Sequence, residues 1–178
     1  LISGSDSGGG AGLQADVKAC AALGCYSANA VSALTAQNTR GVHGVFGVPP
    51  AFVLAQMDAV LDDIAPDAAK TGMLATVDVI EAVAGRLAAA AAAGGLAKGV
   101  VVDPVMAAAS GDALVEPDAV AAIRDALLPV ATVATPNRFE AGMLLGEAPP
   151  ASLAAARDAA ARPRAARGAR CIVLKGAP

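Results

Sequence analysis

The sequence predicts a doubly wound α/β fold, a mostly parallel sheet flanked by helices on both faces. Three observations lead there. Short apolar runs alternate with amphipathic stretches along nearly the whole chain, the pattern of successive βαβ units. Gly99-Val100-Val101-Val102 shows no alternation, as a strand buried on both faces of a parallel sheet requires. Glycines and polar residues follow the apolar runs directly, among them Gly4, Asp103, Asn137 and Lys175, where open α/β sheets gather ligands.

The elements follow in order. Leu1-Ile2-Ser3-Gly4 reads as the end of a strand. Over 12–23, Leu13, Val17 and Ala21 keep helical spacing, and Gly24 stands where a C-terminal cap would. Residues 26–34 are predicted as the second strand, with Gln37 and Asn38 following it. Pro50 can open a helix with Phe52, Leu54, Met57, Val60, Leu61 and Ile64 facing inward. Residues 68–73 form a brief strand. Thr76 caps a helix through Ala93 that turns Ile80, Val83, Ala84 and Leu87 to one side. After the valine run come a helix over 117–128 and a strand over 130–134. Helices over 138–145 and 152–161 precede a last strand, Cys171-Ile172-Val173-Leu174. No linker or repeat divides the chain, so one domain over 1–178 is expected, and the alanine tract at 88–93 is helix-forming sequence.

Composition excludes whole classes. The hydrophobic fraction is 56% but aromatics are only 2%, so the core must be built from Ala, Val, Leu and Ile. A net charge of -3 without a basic stripe gives no footprint for nucleic acid. The odd set Cys20, Cys25 and Cys171 contains no CxxC pair, arguing for reduced thiols in a cytoplasm rather than disulfides or zinc. The longest apolar run, 87–97, is alanine-rich, interrupted by Gly94 and Gly95, and too short to span a membrane. The opening residues lack a basic n-region, so no signal peptide is expected.

Several residues could carry chemistry. Gly4-Ser5-Asp6-Ser7-Gly8-Gly9-Gly10-Ala11-Gly12 joins a strand end to a helix start, where glycines admit close backbone approach and helix N–H groups are free. It matches neither GxGxxG nor GxxxxGK[ST], and a tight βα turn explains its spacing equally well. Asp16 near that helix start suits the helix dipole. The amide of Gln37 offers donors and an acceptor, as a nitrogen heterocycle needs; an Asn-containing turn is the plainer account. Asp103 closes the valine run, where a metal–phosphate site would sit. Asn137 and Glu140 fit a capping box as well as they fit a ligand site. Lys175 beside Gly176 offers a cation to phosphate oxygens. Carboxylates, an amide and a lysine at successive strand ends suit phosphoryl transfer, which needs positioning and charge stabilisation. His43 is the only histidine, so neither a Ser–His relay nor a multi-histidine metal site is supported; it reads as a loop residue. Asp58, Asp62, Asp63 and Asp67 read as a solvated helix face and its exit, and Cys20 and Cys25 as small buried fillers.

Longer runs carry a resemblance. Ser3-Gly4-Ser5-Asp6-Ser7-Gly8-Gly9-Gly10-Ala11-Gly12-Leu13-Gln14-Ala15-Asp16 and Ala33-Leu34-Thr35-Ala36-Gln37-Asn38-Thr39-Arg40-Gly41-Val42 closely resemble signatures of the hydroxymethylpyrimidine/phosphomethylpyrimidine kinases. Lys70-Thr71-Gly72-Met73-Leu74, Val102-Asp103-Pro104-Val105-Met106, Ser110-Gly111-Asp112, Thr135-Pro136-Asn137 with Glu140-Ala141, and Leu174-Lys175-Gly176 follow in the family's order. The resemblance implies a ribokinase-like fold and an ATP-dependent phosphotransferase of thiamine biosynthesis. It places Gly4, Asp16, Gln37 and Met73 around the pyrimidine, with Gln37 on the aminopyrimidine edge. It places Asp103, Asn137 and Glu140 around Mg²⁺ and the ATP phosphates, the metal being held through water by Asp103 and Glu140, with Lys175 near the nucleotide. A cytoplasmic homodimer is implied as well.

Two departures are visible. Ala109 stands where the family often has lysine before Ser-Gly-Asp. The family also continues into further strands and a Gly-Thr-Gly-Cys segment that cradles the transferring phosphoryl group and supplies the base. That segment is expected beyond Pro178, so no catalytic residue is assigned to this chain, and the isolated 178-residue chain is expected to self-associate through an uncovered sheet edge. Competing readings are a pyridoxine or pyridoxal kinase of the same superfamily and a non-catalytic pyrimidine-binding protein.

Overall fold

The computed structural model describes residues 1–107, 118–162 and 169–176. Its main sheet has six strands, all parallel: β1 (Ile2–Ser3), β2 (Ala30–Val31), β5 (Ala68–Thr71), β6 (Gly99–Val102), β7 (Val133–Ala134) and β8 (Cys171–Ile172). They lie in the order β2-β1-β5-β6-β7-β8. The chain winds outward from β1 to β2, then returns past β1 to β5 and continues the other way. Right-handed crossovers therefore put α1 (Gly12–Ala22) on one face and α2 (Pro50–Asp63) and α3 (Val77–Ala92) on the other. The turning point of the winding lies between β1 and β5.

Local chemistry accounts for most element ends. Thr76 Oγ1 accepts the Val79 N–H at 3.3 Å and starts α3, whose Ile80, Val83, Ala84 and Leu87 all lie in the core. Gly24 takes the left-handed φ of +72° just past α1. Asn137 starts α5 (Arg138–Leu145) and Ser152 starts α6 (Leu153–Ala161), each accepting backbone N–H groups. The valine run differs from a strand buried on both faces. Val100 and Val102 are buried against α3's side, while Gly99 and Val101 are half-buried.

Other expectations need correction. Instead of a strand over 26–34, only Ala30–Val31 joins the sheet, and the chain leaves at Ser32. It then forms an antiparallel pair, β3 (Ala33–Asn38) and β4 (Gly41–Gly47), so Gln37 and Asn38 end a hairpin strand and His43 is an exposed strand residue. On α2 the buried side chains are Val53 and Met57, whereas Phe52 and Ile64 are exposed and Val60 half-buried. α2 packs against both α3 and β2, and Phe52 and Ile64 lie outside the stripe it buries there. The predicted helix after 117 is α4 (Ala119–Ala122), which widens into a π turn at Ile123–Leu127 and tightens to a 3₁₀ turn at Leu128–Val130. Pro129 cannot donate to a continuing helix, and the strand shrinks to Val133–Ala134. Cys20 is half-buried and Cys25 exposed, not buried fillers. Asp58 and Asp62 both pair with Arg86. Among the described residues no helix is long and apolar enough to cross a membrane. Ala109 and Ser110-Gly111-Asp112 lie outside the described residues.

The core contains one polar anomaly. Thr71 is fully buried, and its Oγ1 has no hydrogen-bond partner among the described residues. A dry, unpartnered hydroxyl costs about 1–3 kcal/mol. Thr71→Val keeps the shape and removes that cost, so the thermal midpoint should rise by roughly 2–12 °C; a drop on differential scanning calorimetry would contradict it.

Candidate functional site

The strand ends at the turning point of the winding are stitched together by backbone. Gly4 N–H donates to the Met73 carbonyl at 3.0 Å, Ser5 N–H to Ala33 at 2.8 Å, and Leu13 N–H back to Gly4 at 2.9 Å. Gly12 has φ +55°, and a Cβ there would lie 2.6 Å from the Gly4 carbonyl oxygen. Only glycine lets the helix start press against β1 so closely. A Cβ on Gly4 would meet Met73 Sδ at 3.0 Å, so Gly4 and Met73 are direct neighbours. Met73 is buried with Ala33, Ala75 and the half-buried Val105. Ala75 holds a left-handed φ of +66°, a local strain of the kind that clusters at binding sites.

The glycine loop is organised by a residue that spacing alone does not single out. Asp6 is 5% exposed, and its carboxylate accepts the N–H groups of Gly8, Gly10 and Ala11 at 2.8–2.9 Å. Burial pushes its pKa up, but the backbone N–H groups of Ala11, Gly8, Gly10 and Gly9 outweigh that and hold it below the usual carboxylate value. The signal in the sequence was the absence of a capping residue: Ala11 precedes α1 and makes no side-chain cap. On either side of Asp6, two serines grip β3. Ser7 Oγ donates to the Gln37 carbonyl and accepts the Gln37 N–H, both at 2.7 Å. Thr35 Oγ1 donates to the Ser5 carbonyl at 2.8 Å and lies 3.3 Å from Gln37 Oε1. Gln37 is thereby fixed to the same loop as Gly4.

Asp16 lies one turn beyond Gly12 on α1. It does more than complement the helix dipole: it forms an ion pair with Lys70 of β5 at 2.5 Å, both side chains about a quarter exposed.

The second group sits at the ends of β6, β7 and β8. Asp103 N–H donates to the Thr71 carbonyl at 3.0 Å, which ties this group to the first across β5. Lys175 Nζ donates to Asp103 Oδ1 at 2.6 Å. Asn137 and Lys175 form a parallel bridge. Asn137 Oδ1 accepts the Phe139 and Glu140 N–H groups at 2.9 Å, and Glu140 Oε2 accepts the Asn137 N–H at 2.7 Å, so the pair does form a capping box. Glu140 is only 5% exposed. Burial raises its pKa; the Asn137 N–H, the Lys175 charge and the Met106 N–H pull down, while Asp103 pushes up, and the net shift is upward. Burial of Glu140 is the main cause, and the nearby Asp103 charge adds to it.

That donor set fits a particular kind of ion. Among the described residues no cluster of three His, Cys, Asp or Glu could hold a metal directly. Two carboxylates at neighbouring strand ends, with no third protein ligand among the described residues, suit Mg²⁺, which keeps several waters and takes one or two carboxylates plus substrate phosphates. A cavity of about 380 Å³ lies between the ends of α2 and α3 near Asp67, Arg86 and Leu96. It is at the opposite end of the sheet, away from every residue above.

The model of the phosphomethylpyrimidine kinase family matches residues 6–178. A hydroxymethylpyrimidine/phosphomethylpyrimidine kinase of Rhizobium meliloti is 49% identical over 176 residues, covering 98% of this chain and 63% of that protein. This chain thus spans less than two thirds of that relative's length. The crystal structure of a phosphomethylpyrimidine kinase from Clostridium difficile superposes with a TM-score of 0.87 at 34% identity, covering 98% of this chain and 75% of that one. A pyridoxal kinase from Staphylococcus aureus, in complex with AMP-PCP and pyridoxal, superposes with a TM-score of 0.82 at 35% identity, covering 98% and 60%.

Proposed function

The chain belongs to the phosphomethylpyrimidine kinase family, and from that premise we propose that it forms the substrate pocket and half the nucleotide site of a thiamine-biosynthesis kinase. The substrate is 4-amino-5-hydroxymethyl-2-methylpyrimidine, then its monophosphate, and ATP is the donor. The observation that supports this reading is the adjacency of two chemistries. A neutral pocket edge of Gly4, Met73 and Gln37 stands beside a charged group of Asp103, Glu140 and Lys175, joined by the Asp103–Thr71 bond across β5.

Each residue has a part in that reading. The Gln37 amide gives and accepts hydrogen bonds along the aminopyrimidine edge. Gly4 leaves room for the ring against backbone, and the soft Met73 thioether packs on it. Asp16, held by Lys70, presents a fixed carboxylate at the rim. Asp103 and Glu140 would hold hydrated Mg²⁺, Asn137 fixes Glu140, and Lys175 would offset charge on the ATP phosphates. Bound Mg²⁺ supplies neutralisation of the phosphate charge that builds during transfer. The first transfer forms a bond from the hydroxymethyl oxygen to the γ-phosphorus and breaks that phosphorus's bond to the β–γ bridging oxygen; in the second, a phosphate oxygen of the monophosphate is the attacking atom. The proton acceptor is not assigned to this chain. A cytoplasmic homodimer of one ribokinase-like domain completes the reading. The hairpin exposes Leu34, Val45 and Phe46 as a surface for the second copy; a monomer in sedimentation velocity would remove that part.

Isothermal titration with hydroxymethylpyrimidine tests the pocket. Gln37→Ala should weaken binding about 10- to 100-fold, since an unpaired polar edge costs roughly 1.5–3 kcal/mol, with the melting temperature unchanged. Equal binding by both proteins would remove Gln37 from the pocket. Preference for pyridoxal in the same titration would favour the pyridoxal kinase reading, which the likeness to the Staphylococcus aureus enzyme supports.

A further inference from the structure

Successive N–H groups of a glycine-rich turn make a concave nest that ordinarily binds an anion. In this chain the nest formed by Gly8, Gly10 and Ala11 is filled from within by the Asp6 carboxylate. The backbone of Asp6 is pinned too, its N–H donating to Gln14 Oε1 at 2.8 Å, while Lys18 Nζ donates to the Gly9 carbonyl at 2.7 Å. Ser5 and Ser7 flank Asp6 and carry the hydrogen bonds between the loop and Thr35 and Gln37. We propose that Asp6 is a positioning residue for substrate recognition: its carboxylate acts as a built-in anion that closes the loop and, through Ser5 and Ser7, sets the Gln37 amide against Gly4. The proposal rests on the pyrimidine-pocket reading above.

Two consequences follow. The nest itself is not a phosphate site, because the N–H groups of Gly8, Gly10 and Ala11 are already taken by Asp6. Gln37 is also only as well placed as the loop, which makes Asp6 and Gln37 a coupled pair rather than independent contributors.

The test uses this chain continued by the part of the Rhizobium meliloti relative beyond the matched stretch, as wild type, Asp6→Ala and Asp6→Asn, with hydroxymethylpyrimidine binding and amide hydrogen exchange read side by side. Asp6→Ala should bind about 10-fold or more weakly, and its Gly8, Gly10 and Ala11 amides should exchange faster. Added formate should refill the vacated nest and restore both. Asp6→Asn, whose amide still occupies the space, should show a smaller loss that formate does not repair. Combining Asp6→Ala with Gln37→Ala should cost no more than Gln37→Ala alone. Unchanged binding in a folded Asp6→Ala, or loss that formate leaves untouched and that adds fully to Gln37→Ala, would overturn the proposal. If Asp6→Ala does not fold, wild-type affinity in Asp6→Asn would do the same. Should the wild-type chain bind no pyrimidine, the pocket reading fails, and the exchange rates with and without formate still judge the nest.

Discussion

Asp103→Asn is expected to lower pyrimidine-dependent ATP turnover by a factor on the order of 10³, while leaving the melting temperature nearly unchanged. The enzyme for this measurement is the chain continued by the part of the Rhizobium meliloti relative beyond the matched stretch. Asparagine keeps the volume and an acceptor for Lys175 but removes the negative charge. The Asp103–Lys175 pair has side-chain exposures of 20% and 44%, so solvent screening limits its contribution to stability to under about 1 kcal/mol. In phosphoryl transfer, by contrast, charge placed at the transferring group acts almost entirely on the transition state, where a single group is worth about 10²–10³ in rate. Loss of turnover without loss of stability separates a functional carboxylate from a strand-end ornament. Turnover within a few-fold of wild type would place the metal–phosphate site elsewhere.

Gly12→Ala should have the largest effect on the fold. Its Cβ would lie 2.6 Å from the Gly4 carbonyl and 3.3 Å from the Asp6 N–H nitrogen, at a φ of +55°. Both neighbours are backbone, so neither can swing away as a side-chain end would. Positive φ and overpacking together amount to about 3 kcal/mol, a lowering of the melting temperature by roughly 10 °C in a chain of this size. Helix α1 would have to lift from β1, taking Gly4 and the loop with it, so pyrimidine binding should fall in parallel. A variant with wild-type midpoint and affinity would mean that the loop has slack which the close approach denies.

What could be read in the sequence was mostly local. The Thr76 cap, the glycine beyond α1 and the Asn137–Glu140 box each depend on residues within a few positions, and each forms as its pattern suggests. The parallel sheet was legible because its strands are separated by helices with one apolar face. The hairpin was not. Its exit from the sheet at Ser32 depends on Ser32 Oγ donating to the Met73 carbonyl at 2.6 Å, a contact 41 residues away in sequence. The turn chemistry at Asn38 was visible, and Asn38 Oδ1 does accept the Arg40 N–H at 2.8 Å, but a turn alone does not say that two strands flank it. For the site, spacing alone could name polar residues at strand ends without saying which ones pair. Lys70 with Asp16 and Lys175 with Asp103 meet across 54 and 72 residues. Asp6 was hidden for the opposite reason: it looked like one more polar residue of a glycine-rich turn.

This chain is proposed to carry the pyrimidine pocket and part of the nucleotide site of a kinase. The most direct test is ADP release from ATP by the continued protein defined above, with and without hydroxymethylpyrimidine. ADP formation that depends on the pyrimidine, exceeds that with pyridoxal and falls in Gln37→Ala is the predicted result. Folded protein that releases no ADP in response to the pyrimidine would contradict it.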